Sequence, residues 1–116
     1  MSQGVLQAKL WYAQRISAMI LGICVSIHLV IIFYAIRGGL TAEEILGRTQ
    51  GNIVFAIFYE IFVLACFVHA PIGVANILEE TCCKGFISKS LSWVLAALII
   101  ILGTTAVIGV YTGGVL

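Results

Sequence analysis

Charged residues are scarce in this chain, and so is proline. Of its 116 residues only 9% are Asp, Glu, Lys or Arg and one is proline, whereas 62% are hydrophobic. A soluble domain of this size could not bury so much apolar surface, which excludes a water-soluble globular fold. The net charge of +1 gives no indication of partners, and we expect no nucleic acid among them.

The apolar residues form three long unbroken runs, at about residues 16–36, 53–78 and 91–110. Each is long enough to cross a hydrocarbon core about 30 Å thick at about 1.5 Å per residue. Barrel strands would instead alternate apolar and polar residues with a period of two. The chain is therefore predicted to be an all-α integral membrane bundle of three transmembrane helices, with residues 1–116 forming a single domain.

The six Lys and Arg residues divide unequally between the two sides of such a bundle. Those on the N-terminal side are Lys9, Arg15, Lys84 and Lys89, and those on the other side are Arg37 and Arg48. Short loops rich in Lys and Arg stay in the cytoplasm. The distribution predicts a cytoplasmic N-terminus.

Two short motifs in the loops between the spans can be interpreted from neighbouring residues. Thr41 is followed three residues later by Glu44, a capping-box pattern that predicts a short interfacial helix ending near Gly47. Cys82 and Cys83 are adjacent, with no second pair to complete a zinc site. We expect neither a disulfide framework nor a structural metal.

Helical spacing groups the small and polar residues of the spans into faces. Ser17, Cys24 and His28 share one face of the first helix. Small residues at every fourth position allow another helix to approach closely. Such a seam consists of Ala18, Gly22 and Ser26, and packing is also expected at Gly103, Thr104, Thr105 and Gly109.

The chain has only two histidines, His28 and His69, and each lies within a predicted span. A titratable side chain is costly in the bilayer core and is a functional-site hypothesis by default. Imidazole is a common metal ligand and the usual axial ligand of haem iron. The alternative for either residue is a packed histidine that bonds a backbone carbonyl or a neighbouring helix.

Two motifs resemble one family. The segment His69-Ala-Pro-Ile-Gly-Val-Ala-Asn-Ile-Leu-Glu-Glu80 is similar to the second-helix motif of the cytochrome b membrane anchors of succinate dehydrogenase and fumarate reductase, the complex II family. Gln14-Arg-Ile-Ser-Ala18 resembles the first-helix His-Arg-x-Ser/Thr-Gly motif, with Gln14 where many members have His. The three-helix length and the motif order also match.

The resemblance implies roles for particular residues. His69 would ligate the iron of haem b, with Gly73 leaving room for the flat ring. Arg15 and Ser17 would lie near the haem propionates and the quinone site, for which Trp11 and Gln14 are further candidates. Anchoring at the headgroup level is the alternative for Arg15 and Trp11.

His28 resembles the first-helix histidine of the two-haem anchors, which predicts two haems shared with a partner chain and at least one haem in any case. Counting residues from the predicted span ends puts His28 only about 5 Å deeper than His69. Such a small offset leaves open that both histidines flank a single iron.

The function implied is a haem b-binding membrane anchor of a succinate:quinone oxidoreductase, passing electrons between the iron-sulfur subunit and quinone. The expected partners are a flavoprotein subunit, that iron-sulfur subunit, a second membrane-anchor chain and the lipid bilayer. The chain alone would not be catalytic. Its expected location is the inner (cytoplasmic) membrane of a prokaryote, as a multi-pass protein.

Glu60 is the other ionisable residue inside a span, and it supports a competing class of function. A small membrane transporter or proton-relay subunit could use Glu60 together with the histidines, and a second quinone site near the outer surface is a related possibility. The alternative is a protonated or hydrogen-bonded carboxyl group at a helix–helix contact. A structural anchor that has lost haem is the third functional class.

Overall fold

The computed structural model describes residues 2–82 and 84–114, and every regular element in them is helical. The elements are α1 (Gln3–Gly38), α2 (Ala42–Thr49), α3 (Ile53–Thr81) and α4 (Phe86–Thr112). Of the described helices, α1, α3 and α4 are long and apolar enough to cross a membrane. The predicted all-α fold with three spans is confirmed. Cys83, one of the adjacent cysteines, lies outside the described residues.

Helix α1 extends well beyond its predicted span, because it begins at Gln3 rather than near Ile16. Its N-terminus is capped by Ser2, whose hydroxyl oxygen accepts the Val5 N–H at 3.3 Å. No proline interrupts the residues that follow. With 36 residues the helix is about 54 Å long, against a hydrocarbon core of about 30 Å. The helix is therefore longer than the hydrocarbon core that one span has to cross.

Helix α3 is central, since it packs against both α1 and α4. Two serines of α4 donate hydrogen bonds to backbone carbonyls of α3. Ser92 Oγ donates to the Pro71 carbonyl at 2.8 Å, and the fully buried Ser88 donates to the Ala75 carbonyl at 3.3 Å. Lipid provides little hydrophobic drive for helix association, so such bonds and close packing hold the pair together.

Helix α2 begins with the predicted capping box. The Glu44 N–H donates to Thr41 Oγ1 at 3.2 Å, and the Thr41 N–H donates to Glu44 Oε2 at 3.0 Å. The Thr41 hydroxyl also donates to Glu44 Oε2, at 2.9 Å. The bond from the Thr41 N–H, followed by this hydroxyl bond, holds the pKa of Glu44 below its usual value. The helix ends at Thr49, slightly beyond the predicted Gly47.

Residues 49–51, at the end of α2 and just after it, cap the C-terminal end of α4. The last turn of α4 has no basic residue, and its carbonyls accept hydrogen bonds from three successive residues instead. The donors are Thr49 Oγ1 to Val110 at 3.0 Å, Gln50 Nε2 to Thr112 at 3.3 Å and the Gly51 N–H to Tyr111 at 2.9 Å. Helix termini leave such carbonyls unpaired, so this segment caps α4 from outside the helix.

The two predicted faces of α1 have different environments. Ser17 and Cys24 are buried, each 4% exposed. The seam of small residues is exposed, and a Cβ added at Gly22 would meet nothing within 4 Å. Within the described chain the seam therefore receives no helix.

Candidate functional site

His69 on α3 contacts the backbone of α1. Its Nδ1 lies 3.4 Å from the carbonyl oxygen of Gln14, which also accepts a hydrogen bond from Ser17 Oγ at 3.0 Å. A carbonyl oxygen can only accept, so a hydrogen bond here requires the tautomer with its proton on Nδ1. That tautomer leaves a lone pair on Nε2, the form in which histidine binds a metal.

Gly73, one turn after His69, also faces Gln14. A Cβ at this position would come 3.2 Å from Gln14 Nε2, so the absence of a side chain gives space to the glutamine amide. The Oε1 atom of that amide is buried and has no hydrogen-bond partner among the described residues. Because buried polar atoms normally have partners, this oxygen marks a place where a donor can bind. Contact between Gly73 and a haem stays a prediction.

The structure brings together four of the predicted site residues: Gln14, Ser17, His69 and Gly73. The exposed Arg15 instead places its guanidinium carbon 5.1 Å from the centre of the Trp11 ring, one turn earlier on α1.

Trp11 is itself 56% exposed and lies edge-on to the neighbouring Tyr12. No described contact joins Arg15 or Trp11 to His69. The predicted quinone residues therefore form two adjacent groups on α1, one against α3 and one at the surface.

His28 has a different kind of partner. Its Nδ1 lies 2.7 Å from the hydroxyl oxygen of Tyr59 on α3. The rings of Tyr59 and Phe62 both meet the imidazole edge to face, with centroids 5.6 Å away. The sequence interpretation did not single out Tyr59 as a partner of His28. The antiparallel arrangement of α1 and α3 would have indicated this pair. Once Gln14 is placed beside His69, later residues of α1, such as His28, lie beside earlier residues of α3.

These contacts separate the two histidines along the bundle. Tyr59, beside His28, precedes His69 by ten positions on α3, which is about 15 Å of helix. Two ligands of one metal are only about 4 Å apart, twice a usual metal–nitrogen distance. The estimate of 5 Å was wrong because it assumed that the helices enter the membrane at Ile16 and Leu78. The histidines of one chain cannot share an iron in this arrangement.

His28 opens onto a cavity of about 600 Å³ between α1, α3 and α4. Tyr59, Phe62 and Cys66 line it from α3, and Leu102 and Gly103 are among the α4 residues. A second cavity, of about 310 Å³, lies between α1 and α3, and its lining is apolar apart from Ser17. Both are open towards the surface of the described chain, so neither would enclose a cofactor without a neighbouring molecule.

Glu60 lies at the contact between α3 and α4. Its Oε1 accepts a hydrogen bond from Thr104 Oγ1 at 2.9 Å. Next to it the helices approach closely, because a Cβ at Gly103 would come 2.6 Å from Val63 Cγ1. This geometry is the hydrogen-bonded helix–helix contact considered as the alternative for Glu60. No described hydrogen bond joins it to a histidine, and a proton relay stays a prediction.

The comparison with family models decides which group of proteins the chain resembles. The family described as succinate dehydrogenase/fumarate reductase transmembrane subunit matches residues 2–110, nearly the whole chain. The chain belongs to this family. Searches among curated proteins and among solved structures gave no significant match. This transmembrane subunit is thus a multi-pass membrane protein whose family works within a multi-subunit complex.

The donor set of the transmembrane subunit can be compared with the ligands that haem requires. Among the described residues, no three His, Cys, Asp or Glu side chains cluster as ligands for one ion. Haem iron already has its equatorial ligands in the porphyrin and takes only axial ones from the protein. His69, whose Nδ1 faces a carbonyl acceptor, could supply one such ligand through Nε2. Its hydrogen bond to a backbone carbonyl is also the usual second contact of metal-binding histidines.

Proposed function

We propose that this subunit is a haem b-binding membrane anchor of a succinate:quinone oxidoreductase and takes part in electron transfer between the iron-sulfur subunit and quinone. His69 would hold one haem, and His28 a second. When bound, haem supplies one-electron redox chemistry, and the protein supplies binding, orientation and the electrostatic surroundings.

The geometry of His69 carries this proposal. An intramembrane imidazole whose only described contact is through Nδ1 to an acceptor keeps its other nitrogen available as a ligand. A histidine present only for packing would gain from partners on both nitrogens, because an unpaired polar atom in lipid is costly. Other axial ligands would come from a second membrane-anchor chain.

The two histidine sites support two haems rather than one. His28 also has Nδ1 engaged, and it lies beside a cavity large enough for a cofactor. The separation of about 15 Å excludes one iron shared by both residues of this chain. On the predicted orientation, His28 is the histidine farther from the cytoplasm.

The quinone site is proposed in the N-terminal half of α1, next to His69. Gln14 has an unpartnered buried oxygen that could accept a hydrogen bond, and Ser17 lines an apolar cavity beside it. Arg15 is exposed there, where a fixed cation could stabilise negative charge developing on a quinone oxygen. Trp11 would border this site.

The location and partners of the subunit follow from the same proposal. The excess of Lys and Arg on the N-terminal side favours placing the Gln14–His69 end at the cytoplasmic face of a prokaryotic inner membrane. The exposed N-terminal part of α1 would then be available to the iron-sulfur subunit, which in turn carries the flavoprotein subunit. Glu60 has no assigned step in this scheme.

The absorption spectrum of the purified complex tests the proposal. A sharp reduced-state band of b-type haem in complexes that contain this subunit supports it, and two haems per anchor unit support both histidine sites. A complex with full subunit content and no such band would refute haem binding. The transporter or relay function and the structural anchor would then remain.

A further inference from the structure

We propose that Tyr59 is a positioning residue that sets the proton arrangement and ring orientation of His28, and thereby tunes the group that His28 binds. This inference rests on the proposed function, because it takes His28 as an axial ligand of the second haem. It concerns a residue that neither family motif includes. The hydroxyl of Tyr59 would act through the imidazole, without touching the haem.

The first argument is the geometry of the contact. The distance of 2.7 Å between His28 Nδ1 and Tyr59 Oη is short for a hydrogen bond between neutral groups. The two residues belong to different helices, so the bond ties α1 to α3 at this level. Both residues line the same cavity of about 600 Å³.

The second argument is that the Tyr59 ring is held in place independently of the bond. Phe55 and Phe58 lie with ring centroids 4.5 and 4.8 Å from it, and Phe62 stacks on it at 6.1 Å. Such aromatic contacts fix the plane of the ring. The hydroxyl oxygen therefore has a defined position opposite Nδ1, and removing this oxygen would leave the aromatic cluster in place.

The third argument is the chemistry of the partner. A hydroxyl can donate or accept, unlike the carbonyl that faces His69. If His28 binds iron through Nε2, Nδ1 must carry the proton and donate it to Tyr59 Oη. An acceptor on that proton makes the imidazole a stronger ligand, and such outer contacts are a principal lever on haem potential. A stronger ligand favours the oxidised iron, so the bond would lower the reduction potential.

The experiment compares single variants in the assembled complex. Tyr59→Phe removes one oxygen atom and keeps the ring. Tyr34→Phe makes the same change at an exposed position of α1, 71% exposed, and serves as the matched control. His28→Ala identifies which haem depends on His28. Each complex is assayed for haem content and titrated potentiometrically, haem by haem.

We expect Tyr59→Phe to raise the midpoint potential of the haem that His28→Ala removes and to leave the other haem unchanged. If the ratio of the site's affinities for oxidised and reduced haem falls tenfold, the midpoint potential rises by about 59 mV for a one-electron couple. Replacing Tyr59 alone by 3-fluorotyrosine, whose hydroxyl is a weaker acceptor, should shift the same potential upward by a smaller amount. This second variant keeps the test valid if Tyr59→Phe assembles poorly.

Three results would overturn the inference. If His28→Ala removes one haem but both Tyr59 variants leave the potentials like those of Tyr34→Phe, Tyr59 has no positioning role and haem binding by His28 stands. Equal shifts of both haems would show a general disturbance rather than a local bond. If His28→Ala retains every haem, the second haem site is refuted, and the inference with it.

Discussion

The two ends of the bundle are built differently. At the α2 end, the chain pairs its own polar groups. The capping box satisfies the start of α2, and residues 49–51 donate hydrogen bonds to the last carbonyls of α4. At the His69 end, comprising Gln14, Ser17, His69 and Gly73, the Gln14 Oε1 atom is buried without a described partner. The N-terminal part of α1, residues 3–12, is exposed in the described chain.

Under the proposed function, this difference separates an end whose polar groups pair within the chain from an end that binds other molecules. An unpaired buried oxygen costs free energy, and a ligand or partner chain would supply the missing donor. Substitutions at the His69 end should therefore change cofactor content and activity, with little effect on folding. Substitutions at the α2 end should change local stability and leave the cofactors unaffected.

The largest effect is expected for His69→Ala, which should remove the haem at the His69 end completely, because no ligand remains on α3. Haem quantification and the reduced spectrum of the purified complex measure this loss. His28→Ala is the matched control and should spare that haem. A full six-coordinate spectrum in the His69 variant would show that this residue is not a ligand.

Arg15→Leu should decrease quinone reduction at least about tenfold, because a cation near developing negative charge is typically worth this much or more. Electron transfer from succinate to a soluble dye should change little. Arg37→Leu, at the opposite end of the same helix, is the control for general loss of charge. An equal decrease of both activities would mean that Arg15 only holds the complex together.

Gly103→Ala tests the close α3–α4 approach between the two ends. The new methyl group would collide with Val63, and overpacking of this kind typically costs about 1–3 kcal/mol. Gly109→Ala on the same helix meets nothing within 4 Å and should be neutral or slightly stabilising. Thermal unfolding of the purified subunit in detergent compares them. Equal stability of the two variants would contradict the tight contact.

The smallest effect is expected at α2 and depends on pH. Glu44 has a lowered pKa in the folded chain, so its contribution is present above the unfolded pKa and is lost as pH falls through the folded one. Amide hydrogen exchange in residues 42–49 should therefore quicken relative to α3 in acid. Thr41→Ala should abolish this pH dependence. Haem content should stay constant over the same pH range. If haem were lost in parallel with the faster exchange of α2, the two ends would not be independent.

The sequence is sufficient to predict the spans and the α2 cap, because hydropathy and capping depend on neighbouring residues. It did not predict the start of α1 at Gln3, since hydropathy reports preference for lipid and not the end of a helix. The Tyr59–His28 bond was missed for another reason. It depends on the register between two helices, which the periodicity of either helix alone leaves undetermined.

The sequence supplied the candidate residues of the cluster but not their arrangement, and their roles stay predictions. Gln14, Ser17, His69 and Gly73 were all candidates, but the motif gives no sign that the Gln14 carbonyl bonds His69 or that its amide occupies the space beside Gly73. These contacts arise from three-dimensional packing of α1 on α3. The axial distance between the histidines was underestimated for the same reason.

The pairing of α1 with α3 has a consequence for assembly. Apolar helices slide past one another in lipid at little cost, since every register exposes similar surfaces. Here two polar contacts, His69 with Gln14 and His28 with Tyr59, lie about 15 Å apart on one helix pair. A slip of one residue would shift the pair by about 1.5 Å and rotate one face by about 100°, breaking both contacts together. The histidines thus select a single alignment of the hairpin, and the newly inserted chain can present both imidazoles in position before any cofactor arrives.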